Sequence, residues 1–397
     1  MGGTFWKHCA ITALAVGITS FFAFIAVIAR PLDPVKRAIG NFSFTDIYYE
    51  ILKETSLPDT SRVITIVDIT DVTNRSDFAR LIDSIGQHNP KVMGVDVCFD
   101  HVGEDYEGND ALVAAVEQYK DNMVFSMKLL DWENDSTGWT TAIHSFFHEF
   151  VDITEGTTNM PRSLYESTKR QVPLNEVYKG KECMSISTQV SNMYADRDVT
   201  KGRRGDININ FSPMAFHKLL PEEVGTHPEL ISNRIVLIGA LYEDVDTHWT
   251  PVGKIAGVEL LAYGIQSLLY DKEVKTLPLP LMCLVSLLMI FLVEVLQVWY
   301  LEFTGESENL FVKFVIGSGY ILGILTFLFT SLFLGVSFLV FAKYNLSINI
   351  AWAMSVITFL GTSRSMYSAL RKYYEAWRSA KRSKQAQDDR QPNHQTT

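Results

Sequence analysis

Long apolar runs constrain this chain most, because each is long enough, or nearly so, to cross a lipid bilayer as a helix of about 20 residues. The first, CAITALAVGITSFFAFIAVIA, occupies residues 9–29. Three more follow near the other end of the chain, at residues 277–300, at residues 310–341 and, as a shorter run, at residues 345–363. The sequence therefore predicts four transmembrane helices, one N-terminal and three C-terminal.

Two of these assignments have an alternative. The run at residues 9–29 also resembles the core of a cleaved signal peptide, but it is long for such a core and lacks an A-x-A site at its end. We therefore favour an uncleaved membrane anchor. The last two runs are separated only by AKYNLS at residues 342–347, so a single long helix is the alternative there.

Basic residues beside the last run indicate the orientation, because clustered Lys and Arg next to a span mark the cytoplasmic side. Residues 364–397 hold 8 Lys and Arg against 3 Asp and Glu. With four spans, both termini lie in the cytoplasm and residues 30–278 lie outside. Arg30, Lys36 and Arg37, just outside the first span, argue the other way.

The long segment between the first two spans is acidic. Residues 32–278 hold 38 Asp and Glu against 23 Lys and Arg, which argues against nucleic acid as a partner. The basic tail is suited to anionic membrane lipid. We divide the chain into a cytoplasmic N-terminus with its span (1–30), an extracytoplasmic domain (31–276), three spans (277–363) and a basic cytoplasmic tail (364–397).

Short apolar runs alternate with helical patterns in the extracytoplasmic domain. This alternation predicts an α/β fold, a mostly parallel sheet with flanking helices. The predicted strands are residues 63–67, 92–97, 123–126, 207–211 and 235–238. The predicted helices are residues 77–88, 110–119, 185–194, 215–220 and 258–269. Residues 128–183 lack either pattern and are expected to form an insertion with long loops.

Several segments, in this order along the chain, resemble the type-two CHASE domain, an extracellular sensory domain associated with cyclases and histidine kinases. They are RVITIVDI (62–69), FARLIDSIGQHNPKVMGVDVCF (78–99), INFSP (209–213), RIVLIGA (234–240), DTHWTP (246–251) and GVELLAYGIQSLL (257–269). The predicted order of spans is similar to that family too. Members usually precede a cytoplasmic cyclase or kinase, whereas about 34 residues follow the last span here. The resemblance therefore implies a sensor that works with a separate effector.

Acidic residues follow the predicted strands, and the carboxyl ends of parallel strands meet at one edge of a sheet. We propose as ligand-binding candidates Asp68, Asp71, Asp96, Asp100, Asp244, Asp246 and Thr250. Such carboxylates suit a divalent cation, whereas the alternative is that they cap helices and form turns. We assign no metal and no cofactor. Asp96, inside an apolar strand, is the strongest candidate for a buried functional carboxylate.

Patterns that indicate catalysis are missing from the sequence. Asp68 and Asp71 are three residues apart, whereas the phosphohydrolase pattern they resemble needs two aspartates two apart. There is no G-x-S-x-G elbow and no phosphate-binding glycine loop. His248 has no Cys or His at metal-ligand spacing, so it is a surface residue or a pH-sensitive element. We therefore expect no enzymatic activity.

Three further features have two interpretations each. Cys98 and Cys183 either form a disulfide, if the domain lies in an oxidising compartment, or are free thiols. Glu294, inside the second span, either reaches the membrane interface, which we favour, or has a coupling role. The tail residues near helical spacing either anchor a helix on lipid or dock a partner protein. These tail residues are Tyr367, Leu370, Tyr374 and Trp377.

Together these observations predict a multi-pass protein of the bacterial inner membrane with a periplasmic sensory domain. We expect the domain to bind a ligand or an envelope protein and to pass the signal to a separate effector, with a homo-oligomer as a further expectation. The alternative is a structural subunit of an envelope complex. A metal-dependent envelope hydrolase is less favoured.

Overall fold

A computed structural model of the chain describes residues 2–28, 43–55, 57–161, 167–242, 246–348 and 351–388. The chain divides into two compact units. One, which we call the body, is Arg37–Lys275. The other, which we call the helical unit, combines Met1–Lys36 with Thr276–Thr397.

The body is built on a mixed sheet flanked by helices. Its strands are β1 (Asp59–Asp68), β2 (Val92–Val95), β3 (Met123–Asn134), β4 (Gly138–Ile143), β5 (Thr154–Thr157), β6 (Gln171–Pro173), β7 (Asn175–Tyr178), β8 (Lys181–Met184), β9 (Asp206–Asn208), β10 (Met214–Leu219), β11 (Ile235–Gly239), β12 (Thr247–Thr250), β13 (Gly253–Ala256) and the short β14 (Lys275–Thr276), which ends in the helical unit. Its helices are α2 (Phe44–Thr55), α3 (Arg75–Gln87), α4 (Tyr106–Tyr119), α5 (Ile186–Ala195) and α6 (Gly257–Leu269).

The strands of the main sheet lie in the order β10–β1–β11–β2–β3–β4–β7–β8, and β5 also pairs with β3. The pairs from β10 to β3 are parallel, as is the pair of β3 with β5. The second half of β3 instead pairs antiparallel with β4, and β7 pairs antiparallel with β8. The sheet is therefore parallel where the helices cover it and mixed at one side.

Alternation along the central strands explains why both faces of the sheet carry helices. On β11, Val236 and Ile238 lie in a core shared with α3 and α4, whereas Ile235 and Leu237 lie in a core shared with α5 and α6. A strand with apolar side chains on both faces is stable only when both faces are covered. The continuous apolar run IVLI is thus the sequence signature of a central strand of this sheet.

Polar side chains start the helices at defined residues. The side chain of Asn74 accepts a hydrogen bond from the backbone N–H of Asp77 at the start of α3. Ser185 does the same for the N–H of Thr188 at the start of α5, and Asp105 for the N–H of Gly108 in α4. Each bond satisfies a backbone donor that the first helical turn leaves unpaired.

The predicted helix at residues 215–220 is wrong, because this segment is the parallel strand β10 beside β1. Over so few residues, the buried positions Phe216 and Leu219 fit a helical period as well as a strand that packs against neighbours. The predicted strand at residues 207–211 is shorter than expected. It is β9, which pairs with β6 outside the main sheet.

The segment at residues 128–183 was expected to have long loops, but much of it is extended structure. It contains the second half of β3, all of β4 to β7 and all of β8 except its last residue. Trp132 and Trp139 face each other across the β3–β4 pair, with ring centroids 5.5 Å apart. Cys98 and Cys183 are both free thiols, so the disulfide interpretation is wrong.

The helical unit contains α1 (Gly2–Ile28), α7 (Leu279–Gly305), α8 (Gly319–Tyr344), α9 (Ala351–Thr358) and α10 (Leu360–Asp388), with the short strand β15 (Leu346–Ser347) between α8 and α9. Among the described residues, three helical segments are long and apolar enough to cross a membrane. These are Thr4–Ile25, Leu279–Gly305 and Gly319–Tyr344.

The end of the chain differs from the sequence prediction. The helix α8 ends at Tyr344, after which Asn345 adopts a left-handed conformation, so residues 310–363 are not one long helix. The helix α9 would span only about 12 Å at 1.5 Å per residue, well short of a bilayer core of about 30 Å. The fourth span at residues 345–363 is not among the helices that can cross a membrane by length and composition. It stays a prediction.

Candidate functional site

Three polar side chains meet at the carboxyl edge of the parallel strands, and we call them the edge cluster: Asp96, Asp246 and His248. Asp96 follows β2, and its backbone N–H donates to the carbonyl of Ile238 on β11 at 2.9 Å. Asp246 precedes β12, and His248 lies on it, with His248 Nε2 3.6 Å from Asp246 Oδ1. The edge of an open parallel sheet is where α/β proteins usually bind ligands.

Two glycines make room for this cluster. A Cβ at Gly239, the last residue of β11, would lie 2.8 Å from the Cβ of Val258 on α6 and 3.3 Å from the Cβ of Asp96. A Cβ at Gly257, the first residue of α6, would lie 2.8 Å from Asp246 Oδ1. The carboxylate of Asp246 therefore sits against the N-terminus of α6, where the helix dipole stabilises negative charge.

The edge cluster has unusual electrostatics. Burial raises the pKa of Asp96 from its ordinary value of 3.8 to about 7, and the negative charge of Asp246 adds to the rise while His248 opposes it. A carboxyl group with a pKa near neutrality gains or loses its proton in response to small changes in its surroundings. Asp96 can thus act as a hydrogen-bond donor or as an anion toward a bound group.

Two of the predicted site residues have structural roles. The carboxylate of Asp68 accepts hydrogen bonds from the N–H and the hydroxyl of Thr70 and from the N–H of Leu241, through one oxygen. The hydroxyl of Thr250 donates to the carbonyl of Gly253 at 2.7 Å in the turn between β12 and β13. Both side chains hold loops at the strand edge, as the turn-forming alternative predicts.

The remaining predicted residues lie apart or outside the described residues. Asp71 is exposed in the turn after β1, and Asp100 is exposed with its Oδ1 2.5 Å from Nδ1 of His101. Asp244 lies outside the described residues. Among the residues that the structure describes, the predicted aspartates do not form a group of three with all ligand atoms within 4.8 Å of one another.

A group with that spacing lies elsewhere in the body, and sequence reasoning missed it: His144, His148 and Glu155, which we call the His–His–Glu cluster. His144 follows β4, His148 lies on the 3₁₀ turn Phe146–Glu149, and Glu155 lies on β5. The H-x3-H spacing of the two histidines was a visible signal. Their meeting with Glu155 depends on the pairing of β5 with β3, which the sequence did not reveal.

A polar network also lies inside the helical unit, around the fully buried side chain of Glu294 on α7. Its Oε2 lies 3.4 Å from Nε of Arg364 on α10, and its Oε1 lies 3.6 Å from Nδ1 of His8 on α1. Gln297 accepts a hydrogen bond from Arg364 and donates one to Thr326 on α8 at 2.8 Å. The favoured interpretation of Glu294 as an interface residue is wrong, because its side chain faces the other helices.

The four predicted docking residues all lie on α10 but differ in environment. Tyr367 packs against the core of the helical unit, whereas Leu370, Tyr374 and Trp377 are each at least half exposed. The rings of Tyr374 and Trp377 are 6.1 Å apart, and the ammonium group of Lys381 lies 5.3 Å from the ring of Trp377. The exposed part of α10 thus presents apolar and basic groups side by side.

Comparison with known proteins gives one match. A family model described as the CHASE2 domain matches residues 19–296, more than half of the chain. No curated protein and no solved structure matches the chain.

Proposed function

Because the chain belongs to the CHASE2 domain family, a family of sensory domains, we propose that the body senses a ligand and that the helical unit passes the response to a separate protein. The observation that supports ligand binding best is the edge cluster. There, the carboxyl group of Asp96 after β2 meets the carboxylate of Asp246 and the imidazole of His248, which share one other segment, at the strand edge beside a helix N-terminus. The proposed ligand is a small polar molecule or a polar group on an envelope protein.

The path of the signal follows the chain. Gly257 lies against the carboxylate of Asp246 and is the first residue of α6. Nine residues separate the end of α6 from the membrane-spanning helix α7. A ligand that binds the edge cluster more tightly in one position of α6 than in another would shift α6 toward that position. The size of the shift is limited by the difference between the two affinities. Leu277 and Pro278 between the helices, together with Pro280 in the first turn of α7, restrict backbone rotation and suit a stiff connection.

Inside the helical unit, the buried network connects α7 to the start of α10. Glu294 pairs with Arg364, and the exposed residues Leu370, Tyr374 and Trp377 follow on the same helix. A shift of α7 would change the distance between the buried carboxylate of Glu294 and Arg364. The free energy of a buried charge that loses its partner is large enough to move a helix. In this proposal the exposed part of α10 is the surface that the effector reads.

The proposed setting is the inner membrane of a bacterium, with the body on the periplasmic side and the basic tail in the cytoplasm. Family membership supports an extracellular body, and the charge of the tail supports a cytoplasmic end. The absence of a catalytic constellation from the sequence supports sensing rather than catalysis. A structural subunit of an envelope complex would have the same location, and the experiment below distinguishes it from a sensor.

Ligand-dependent thermal stabilisation of the full-length protein in lipid nanodiscs tests the proposal. A panel of polar metabolites and envelope fragments is screened against the wild type, Asp96→Asn and, as an exposed control, Asp71→Asn. If the protein is a sensor, a compound should raise the melting temperature of the wild type and of Asp71→Asn but not that of Asp96→Asn. If compounds stabilise all three proteins equally, the edge cluster is not the ligand site. If none stabilises the wild type, the structural subunit is favoured.

A further inference from the structure

The His–His–Glu cluster brings two imidazoles to one carboxylate oxygen. Nδ1 of His144 lies 2.6 Å and Nδ1 of His148 lies 3.0 Å from the same carboxylate oxygen, Oε2 of Glu155. The two imidazole rings stack, with centroids 4.2 Å apart and planes inclined by 17°. Three possible ligand atoms, two from the segment after β4 and one from β5, thus lie within 4.8 Å of one another.

The other carboxylate oxygen points to a missing partner. The side chain of Glu155 is 6% exposed, and its Oε1 is buried without a hydrogen-bond partner. A buried carboxylate oxygen that lacks a partner costs free energy, so such groups are usually paired or bound to an ion. The two histidines do not supply that partner, because both face Oε2.

We propose that His144, His148 and Glu155 bind one divalent transition-metal ion of the Zn²⁺ class. Two imidazole nitrogens and a carboxylate form a common three-ligand set for Zn²⁺, and they supply too few oxygens for Ca²⁺ or Mg²⁺. On binding, each histidine coordinates as the neutral imidazole, with the lone pair of Nδ1 on the metal and its one proton on Nε2, and a second proton, where present, is released to water. This proposal does not depend on the proposed sensory function, since it concerns metal binding alone.

The distances fit such an ion after a small adjustment. With bonds of about 2.0–2.1 Å, ligand atoms around tetrahedral Zn²⁺ are about 3.3 Å apart. The Nδ1 to Oε2 distances of 2.6 and 3.0 Å must therefore widen by about 0.7 and 0.3 Å. The side chains of His144 and His148 are 30% and 43% exposed, which leaves solvent access for the ion and for a water ligand.

The cluster also lies beside the segment that carries Asp96. The backbone N–H of Phe146 donates to the carbonyl of Phe99 at 2.7 Å, and the N–H of Phe99 donates to the hydroxyl of Ser145 at 3.3 Å. A metal that fixes His144 and His148 would fix these bonds as well. Metal binding is thus expected to order residues 96–99 at the strand edge.

Direct metal titration of the full-length protein tests the site. The protein is purified with an affinity tag free of histidine, stripped with a chelator and titrated in nanodiscs with Co²⁺, followed by displacement with Zn²⁺. We expect one equivalent of Co²⁺ per chain with the visible absorption of a four-coordinate ion, and its loss on Zn²⁺ addition. His148→Ala and Glu155→Gln should each weaken binding by at least about tenfold.

The matched control is His227→Ala, which removes an exposed histidine 3.2 Å from a carboxylate oxygen of Glu229 but outside the cluster. It should bind the metal as the wild type does. Folded wild-type protein without Co²⁺ or Zn²⁺ binding at micromolar concentration overturns the proposal, as does unchanged binding by His148→Ala. Since His148 is substantially exposed, that variant keeps the test decisive even if Glu155→Gln does not fold.

Discussion

Nε of Arg364 lies 3.4 Å from Oε2 of Glu294, although the two residues are 70 positions apart and Glu294 is fully buried among helices. The pair joins α7 to α10, and His8 on α1 approaches the other oxygen of the same carboxylate. A carboxylate inside a bundle of membrane helices is stable only when it is paired. This relationship gives the helical unit an interaction that both its stability and the proposed signal depend on.

Breaking that pair should destabilise the helical unit. Arg364→Met leaves the buried carboxylate of Glu294 without its guanidinium partner, which should lower the free energy of unfolding by about 3–5 kcal/mol. Arg364→Met with Glu294→Met removes both charges and should recover most of the loss. Unfolding in nanodiscs followed by circular dichroism measures both. The control is Arg371→Met, since Arg371 is exposed and pairs with Glu375 on the same helix. Equal stability of the single and double variants would contradict the pairing.

Asp96 should make the stability of the body depend on pH. Its pKa is raised by burial from 3.8 to about 7 in the folded protein. Between about pH 4 and pH 7 the unfolded chain therefore releases this proton while the folded chain keeps it, so that stability falls as pH rises through that window. Asp96→Asn should remove this loss, which is on the order of 2–4 kcal/mol above pH 7.

Chemical denaturation of the full-length protein from pH 4 to pH 8 checks this prediction. The difference in unfolding free energy between Asp96→Asn and the wild type should grow with pH and then level off. Asp71→Asn is the control, because Asp71 is exposed. A difference that does not change with pH would show that the pKa of Asp96 is not raised.

Gly239 should be intolerant of a side chain. A Cβ there would lie 2.8 Å from the Cβ of Val258, so Gly239→Ala should push α6 away from β11. We expect a loss of about 1–3 kcal/mol in the free energy of unfolding, as for other overpacked cores. The control is Gly225→Ala, where a Cβ meets nothing within 4 Å. Denaturation of both variants measures the difference, and equal stability would place α6 farther from β11 than in this structure.

The side of the membrane on which α10 lies shows whether the chain has a fourth span. Two spans after the body return the chain to the side of the body, whereas three place the tail on the opposite side. We expect the opposite side, because the tail is rich in Lys and Arg. Proteolysis of sealed vesicles, with epitope tags in the body and at the C-terminus, distinguishes the two. Cleavage of both tags from the same side would exclude the fourth span.

The exposed residues of α10 should be needed for a partner to bind. Crosslinking of tagged full-length protein in native membranes should recover a kinase, cyclase or regulator, and Leu370→Ala with Trp377→Ala should lose it, because truncation of apolar anchors usually removes most of the binding free energy. Ser365→Ala, on the same helix and exposed, is the control. Recovery of envelope assembly proteins alone would favour the structural subunit.

Much of the architecture was predictable because it depends on local patterns. The apolar runs at residues 9–29, 277–300 and 310–341 predicted the three described helices that can cross a membrane. The run RIVLIGA predicted the central strand β11, and the motif order predicted the CHASE2 family. Hydropathy and short motifs act over a few residues, so they can be read without knowing which segments meet.

The incorrect predictions concerned features that depend on which segments of the chain pack together. Residues 215–220 are a strand because β1 offers a parallel partner, and their own pattern does not reveal it. Asp68 was predicted to bind a ligand. Its carboxylate instead accepts hydrogen bonds from Thr70 and from the N–H of Leu241, a residue 173 positions away. A carboxylate that satisfies loop donors and one that faces a ligand have the same sequence signature.

The sequence by itself thus determined three helices that can cross a membrane, the α/β character of the body and its family, because the hydrophobic effect and backbone preferences depend on neighbouring residues. Only the tertiary structure decided which polar groups come together. Glu155 meets His144 and His148 through strand pairing, Asp96 meets Asp246 across a loop, and Glu294 meets Arg364 across helices. Such meetings depend on distances of a few ångströms between distant parts of the chain, and no local pattern encodes them.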